Sequence, residues 1–98
     1  MNFSVVYPRY IEKVRKKKNA IVIDLRDTKE YTKSHYRGAI NYPLKEFETG
    51  KISLSHGRSY ILYCEHGSNS MRIAQSLGMK GYDVATVIGG YQRMQKEI

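Results

Sequence analysis

The stretch Ser59-Tyr60-Ile61-Leu62-Tyr63-Cys64-Glu65-His66-Gly67-Ser68-Asn69-Ser70 joins a short apolar run to a polar, glycine-containing turn. Unbroken runs of this kind suit parallel strands buried on both faces. In the segment that follows, Met71 to Lys80, the residues Ile73, Ala74 and Leu77 share a helical face with Ser70, and Gly81 stands where a helix would stop. Strand, turn and helix thus follow one another with Cys64 at the hinge. Working outward, Ala20-Ile21-Val22-Ile23 repeats the buried-strand pattern, and Asp27 and Glu30 have capping-box spacing for a helix running toward Ser34. Gly38 to Asn41 reads as a short strand closed by Pro43, Lys45 to Glu48 as one helical turn, and Gly50 to Gly57 as loop. Phe3 to Val6 is a first strand. Pro8 suits the first turn of a helix that places Tyr7, Ile11 and Val14 on one face and ends near Asn19. Asp83 to Ile88 is a last strand, and Gly89-Gly90 separates it from a final helix, Tyr91 to Glu97. Strands alternating with helices predict an α/β fold: a mainly parallel central sheet of about five strands with helices on both faces.

The 98 residues include 17 Lys and Arg against 9 Asp and Glu, a formal net charge of +8, and 41% are hydrophobic. This length suits a single domain spanning residues 1–98, and the apolar content excludes a disordered chain. A single cysteine excludes an internal disulfide and a cysteine-based zinc site. The three histidines have no metal-ligand spacing, so neither metal nor cofactor is expected. No apolar run approaches the roughly 20 residues that span a bilayer. MNFSVVYPRY lacks the basic and then apolar pattern of a secretory signal. A cytoplasmic chain with no membrane partner is expected. Lys13, Arg15, Lys16, Lys17 and Lys18 concentrate the positive charge, and without these five the net charge falls from +8 to +3. They read as a solvated helix end whose charges complement the helix dipole. The competing reading is a patch for nucleic acid, an acidic partner or an anionic substrate. No nucleic-acid-binding motif or interleaved aromatic supports nucleic acid, and the nine tyrosines are too scattered for a stacking platform.

In open α/β sheets ligands gather at the carboxyl ends of the strands, which is where Cys64 falls. A helix N-terminus carries partial positive charge, and a tight turn aims successive N–H groups into one concavity that favours an anion. The thiolate is the nucleophilic form of cysteine, so this position suits a reactive thiol. It equally suits a buried cysteine packed as a small hydrophobe.

Three blocks in order resemble the single-domain rhodaneses, a sulfurtransferase family. The first is Ile21-Val22-Ile23-Asp24-Leu25-Arg26-Asp27 continuing through Glu30-Tyr31, His35, Gly38-Ala39, Asn41 and Pro43. It is similar to the family pattern V-I-D-x-R, E-[YF], H-x-x-G-A-x-N-x-P. The second, Cys64 to Ser70, resembles the active-site loop C-x-x-G-x-[RS]-[ST], and Gly89-Gly90 resembles the late glycine pair. The resemblance implies that Cys64 takes a sulfane sulfur from a donor such as thiosulfate as a persulfide. It then passes that sulfur to a thiol, a cyanide-like acceptor or an acceptor protein. It also implies that backbone N–H groups of Glu65, His66, Gly67, Ser68, Asn69 and Ser70 hold the persulfide or the donor, with Asp24 and Arg26 bracing the region.

Departures from the family pattern bear on the donor. Asn69 stands where many members place an arginine that would hold an anion bidentately. Glu65 beside the nucleophile disfavours an anion; His66 offsets it if protonated or donating a hydrogen bond, and reads equally as an exposed loop histidine with no role. The family's late aromatic falls on Met94, a change in packing. Asp24 and Arg26 also suit a purely structural salt bridge, and His35 and His56 read as structural. The alternative function is a non-catalytic rhodanese-like module that binds a protein partner, for which Ser or Asp would be expected at position 64. Dual-specificity phosphatases and arsenate reductases use a related fold, but they require a loop one residue longer with an arginine in it, whereas Cys64 to Asn69 spans six residues and has none.

Overall fold

The structure, a computed structural model, describes residues 3–97; the remaining termini of the expected 1–98 domain lie outside the described residues. Five strands, β1 (Phe3–Val6), β2 (Ile21–Asp24), β3 (Ile40–Asn41), β4 (Ser59–Tyr63) and β5 (Asp83–Val87), form one sheet in the order β1-β5-β4-β2-β3. Every pairing is parallel. The helices are α1 (Ile11–Lys18), α2 (Thr28–Lys33), α3 (Leu44–Glu48), α4 (Ser68–Met79) and α5 (Gly90–Glu97). Successive side chains of a strand point to opposite faces, and β4 shows how this builds two cores. Ile61 and Tyr63 join Ile11, Val22, Val87 and Met94 in one cluster, while Tyr60 and Leu62 join Ile23, Ile73, Ala74 and Leu77 in the other. The expected α/β sheet with helices on both faces is the fold found.

Local differences from the expected elements have physical causes. Pro8–Tyr10 is a 3-10 turn, and α1 begins only at Ile11, so Tyr7 precedes the helix; it is exposed and its ring faces the Arg93 guanidinium at 5.1 Å. Strand β2 runs one residue later than expected and so carries Asp24 itself into the sheet. Asp27 precedes α2, but its side chain makes no capping hydrogen bond; the turn is closed by Asp27 O accepting from Glu30 N and Tyr31 N. Ser68, Asn69 and Ser70 belong to the first turn of α4 and not to a turn before it. Small polar residues serve turns and helix starts alike, so composition did not separate the two.

The strand directions place Cys64 and the basic run at opposite ends. Cys64 follows β4 at the carboxyl end. The end of α1 leads into the amino end of β2, where Arg58 Nη2 donates to Asn19 O at 3.1 Å and Lys18 pairs with Asp83, the first residue of β5. Strands of five residues separate the two ends by about 15 Å. Among the described residues no helix is long and apolar enough to cross a membrane.

Candidate active site

Gly67 has φ +104, a backbone conformation that glycine adopts without penalty, and it turns the chain from Cys64 into α4. The turn directs two amides at the sulfur: Gly67 N lies 3.1 Å and Ser70 N 3.3 Å from Cys64 Sγ, and the Ser70 hydroxyl lies 3.5 Å away. Cys64 is 5% exposed, so the sulfur sits at the base of the site with N–H groups of the α4 N-terminus around it. The other side of the loop is held by α5, where Tyr91 N donates to Cys64 O at 2.8 Å and Gln92 N to Glu65 O at 3.1 Å. Only glycine fits at position 90: a Cβ there would lie 2.6 Å from Cys64 O and 2.7 Å from Glu65 C.

A buried charge network stands beside the loop. Asp24 is fully buried, and its carboxylate accepts from Arg26 N at 2.8 Å, Arg26 Nε at 3.1 Å, Arg26 Nη2 at 2.8 Å and Tyr63 Oη at 2.7 Å. Nη2 also donates to Ser34 O at 2.6 Å, Nη1 reaches Glu65 Oε1 at 3.5 Å, and the guanidinium lies 4.0 Å from the Tyr91 ring centroid. Burial opposes the charge of Arg26, but its hydrogen bonds to Asp24 and the charge of that carboxylate more than offset this and hold the guanidinium protonated more firmly than usual. Burial, followed by the hydrogen bond to Asp24, raises Tyr63 well above the ordinary tyrosine range. The network ties β2 to β4, and through Glu65 and Tyr91 to the loop and α5.

The six loop residues are therefore not equivalent. Gly67 and Ser70 turn backbone N–H groups to the sulfur, whereas Ser68 and Asn69 are exposed in the first turn of α4. His66 is exposed. The Glu65 carboxylate is engaged by Arg26 and Gln92. An open cleft of about 290 Å³ leads to Cys64 between Leu25, Leu44 and Asn69, with Arg26, Asp27, Glu30 and Glu65 also on its walls. Among the described residues Arg26 is the one arginine on the walls of this cleft, and its guanidinium is committed to Asp24. Tyr63, Thr86, Gly90 and Tyr91 also build the site, although sequence reasoning assigned no such role to them. Of these, Gly90 carried a signal in the glycine pair, but Thr86 looked like any β-branched strand residue. His35 stacks on Tyr31 with ring centroids 3.7 Å apart, and His56 stacks on Tyr82 at 3.8 Å; neither belongs to the loop.

A parallel α/β sheet with a cysteine at a strand end, cradled by the next helix, defines a class that comparison with known proteins identifies. The rhodanese-like domain model matches residues 8–97, and the chain belongs to that family. It is 29% identical over 97 residues to a thiosulfate sulfurtransferase GlpE of Actinobacillus succinogenes, covering 98% of this chain and 87% of the relative. It is 31% identical over 80 residues to a tRNA sulfurtransferase of Pyrobaculum aerophilum, covering 79% of this chain but 16% of that longer protein. Among solved structures, a rhodanese-related protein of Thermoplasma volcanium superposes with TM-score 0.84 at 23% identity, covering 96% of this chain and 92% of that one. The last likeness shows the fold.

Proposed function

We propose that the chain is a rhodanese-type sulfurtransferase working through a persulfide on Cys64. The observation that carries this is the pair of amides, Gly67 N and Ser70 N, directed at Sγ from the start of α4. In the first half-reaction the Cys64 thiolate attacks the sulfane sulfur of the donor and forms a new S–S bond. With thiosulfate, the donor's own S–S bond breaks and sulfite leaves with the electron pair. In the second, a thiolate or cyanide attacks the outer sulfur, and the bond to Cys64 breaks to return the thiolate. The amides are placed to stabilise anionic sulfur throughout, because oriented N–H dipoles in a water-poor site need no reorganisation.

Thiosulfate is the donor named for the GlpE relatives. Here the anion would be gripped by backbone amides, since Asn69 offers no guanidinium and Arg26 is engaged by Asp24. Glu65 and Asn69 line the approach for donor and acceptor, the exposed His66 and Ser68 contribute to the same loop, and Asp24 and Arg26 brace it from behind. A free nucleophilic cysteine suits a reducing compartment, so we place the protein in the cytoplasm, receiving sulfur from a small donor and passing it to a small thiol or an acceptor protein. Incubation with thiosulfate or an alkyl persulfide, followed by intact-mass measurement, tests the reading. One added sulfur on the natural chain and none on Cys64→Ser is expected; no added sulfur from either donor refutes it.

A further inference from the structure

The Ser70 hydroxyl stands at a junction of three partners. Its oxygen lies 3.5 Å from Cys64 Sγ, 3.2 Å from Gly67 O and 2.7 Å from Thr86 Oγ1. Ser70 is 0% and Thr86 1% exposed, so water does not take the place of these bonds. A hydroxyl has one proton to donate and two lone pairs to accept with. When Cys64 is a neutral thiol, its S–H donates to Ser70 Oγ, and Ser70 gives its own proton to Gly67 O. An ionised sulfur has no proton to give. It accepts from Gly67 N and Ser70 N, and Ser70 adds a third donor by turning its proton from Gly67 O to the sulfur. Among the described residues Ser70 is the one hydrogen-bond partner of the Thr86 hydroxyl. That partnership leaves Thr86 free to donate to Ser70 in both states.

We propose that Thr86 is a positioning residue for Cys64: its hydroxyl, fixed in β5, holds and polarises the Ser70 hydroxyl so that Ser70 donates to the ionised sulfur. The inference rests on Cys64 as the nucleophile of the proposed function. Chains of hydrogen bonds strengthen each member, because each donor becomes more polar as it accepts. The device also explains why two hydroxyls are buried against each other where valine and alanine would satisfy the packing.

The test is a cycle of variants read by alkylation of Cys64 with iodoacetamide, a neutral reagent. At about pH 7, Thr86→Val should react about fivefold more slowly than the natural chain, the scale of one lost hydrogen bond. Thr86→Ser, which keeps the hydroxyl, should recover most of that rate. At about pH 10, above the usual range in which thiols ionise, Thr86→Val and the natural chain should converge. On a Ser70→Ala background, adding Thr86→Val should change nothing further, because Thr86 acts through Ser70. Equal slowing at both pH values, no slowing at all, or a full additional loss on the Ser70→Ala background would overturn the proposal. If Thr86→Val does not fold, Thr86→Ala in the same cycle reads the same coupling. Alkylation needs no sulfur transfer. A natural chain that shows the coupling yet gains no sulfur from any donor therefore refutes the transferase reading and supports the relay.

Discussion

The two ends of the sheet handle charge in opposite ways. At the amino end, basic side chains lie along α1 in water, and the Lys18–Asp83 pair is about half exposed, at 45% and 53%. At the carboxyl end one pair, Asp24–Arg26, is 0% and 5% exposed and is stitched by further bonds to Tyr63 and Ser34. The basic run at the amino end carries five of the eight net positive charges on an exposed helix end, whereas the carboxyl end uses one buried pair to position the loop. Salt screens exposed charges over about 8 Å, less than the separation of the two ends, so abundance of charge is a poor guide to its influence on the sulfur. Burial and geometry decide.

The contrast is broken most severely at Asp24. Asp24→Ala leaves the Arg26 guanidinium buried without its partner and should lower stability by about 3–5 kcal/mol in urea unfolding. Replacing both residues by apolar ones should recover much of that loss; no recovery would show that the network matters through its other partners.

Removing Tyr63 from the network sharpens the comparison with a smaller effect. Tyr63→Phe deletes the bond to Asp24 and should lose about 1–2 kcal/mol near neutral pH. The same hydroxyl gives a signature in pH. Its folded value is raised above the ordinary value of 10.0, by burial first and by Asp24 second. Its share of stability is complete below about pH 10 and is lost as pH rises from there toward the folded value, because the unfolded chain releases the proton first. Urea midpoints compared at about pH 9 and pH 11 should fall more for the natural chain than for Tyr63→Phe. Tyr36, pushed up to about 12 by burial and its bond to Glu12, adds a background common to both chains.

An arginine introduced at the carboxyl end asks whether a free charge there helps. Asn69→Arg should lower the apparent KM for thiosulfate by the equivalent of about 1–2 kcal/mol without a matching fall in kcat. An unchanged KM would show that the amides saturate the anion's needs. The smallest effect belongs to the amino end. Changing Lys16, Lys17 and Lys18 together to Gln should alter stability by less than about 1 kcal/mol. It should leave kcat with a small donor unchanged. A collapse of kcat would overturn the view that distance insulates the sulfur from these charges.

How much was legible follows the same division. The β2 and β4 runs announce themselves because a strand buried on both faces must be apolar throughout, and each lies within one residue of its expected place. Cys64 at a strand end and the glycines around it were also visible, since a reversal of the chain next to close packing leaves few choices of residue. The start of α4 was misplaced because Ser68-Asn69-Ser70 suits a turn as well as a first helical turn. The Asp27–Glu30 spacing promised a capping bond that is not made. Thr86 was invisible because what sets it apart is a partner 16 residues away in the chain, and β-branching already explained its presence in a strand. A contact between a helix and a strand distant in the chain leaves no local pattern to read.

The hold of α5 on the loop has a consequence for the order in which the site assembles. A growing chain that has emerged as far as Val87 already contains all five strands, but not the amides of Tyr91 and Gln92 that fix the carbonyls of Cys64 and Glu65. All five strands are therefore present before the Cys64 loop can be clamped, and the setting of the sulfur is completed only with α5. Proteolysis just ahead of Gly90 would act in reverse, unclamping the Cys64 loop and withdrawing Met94 from the core beneath β4.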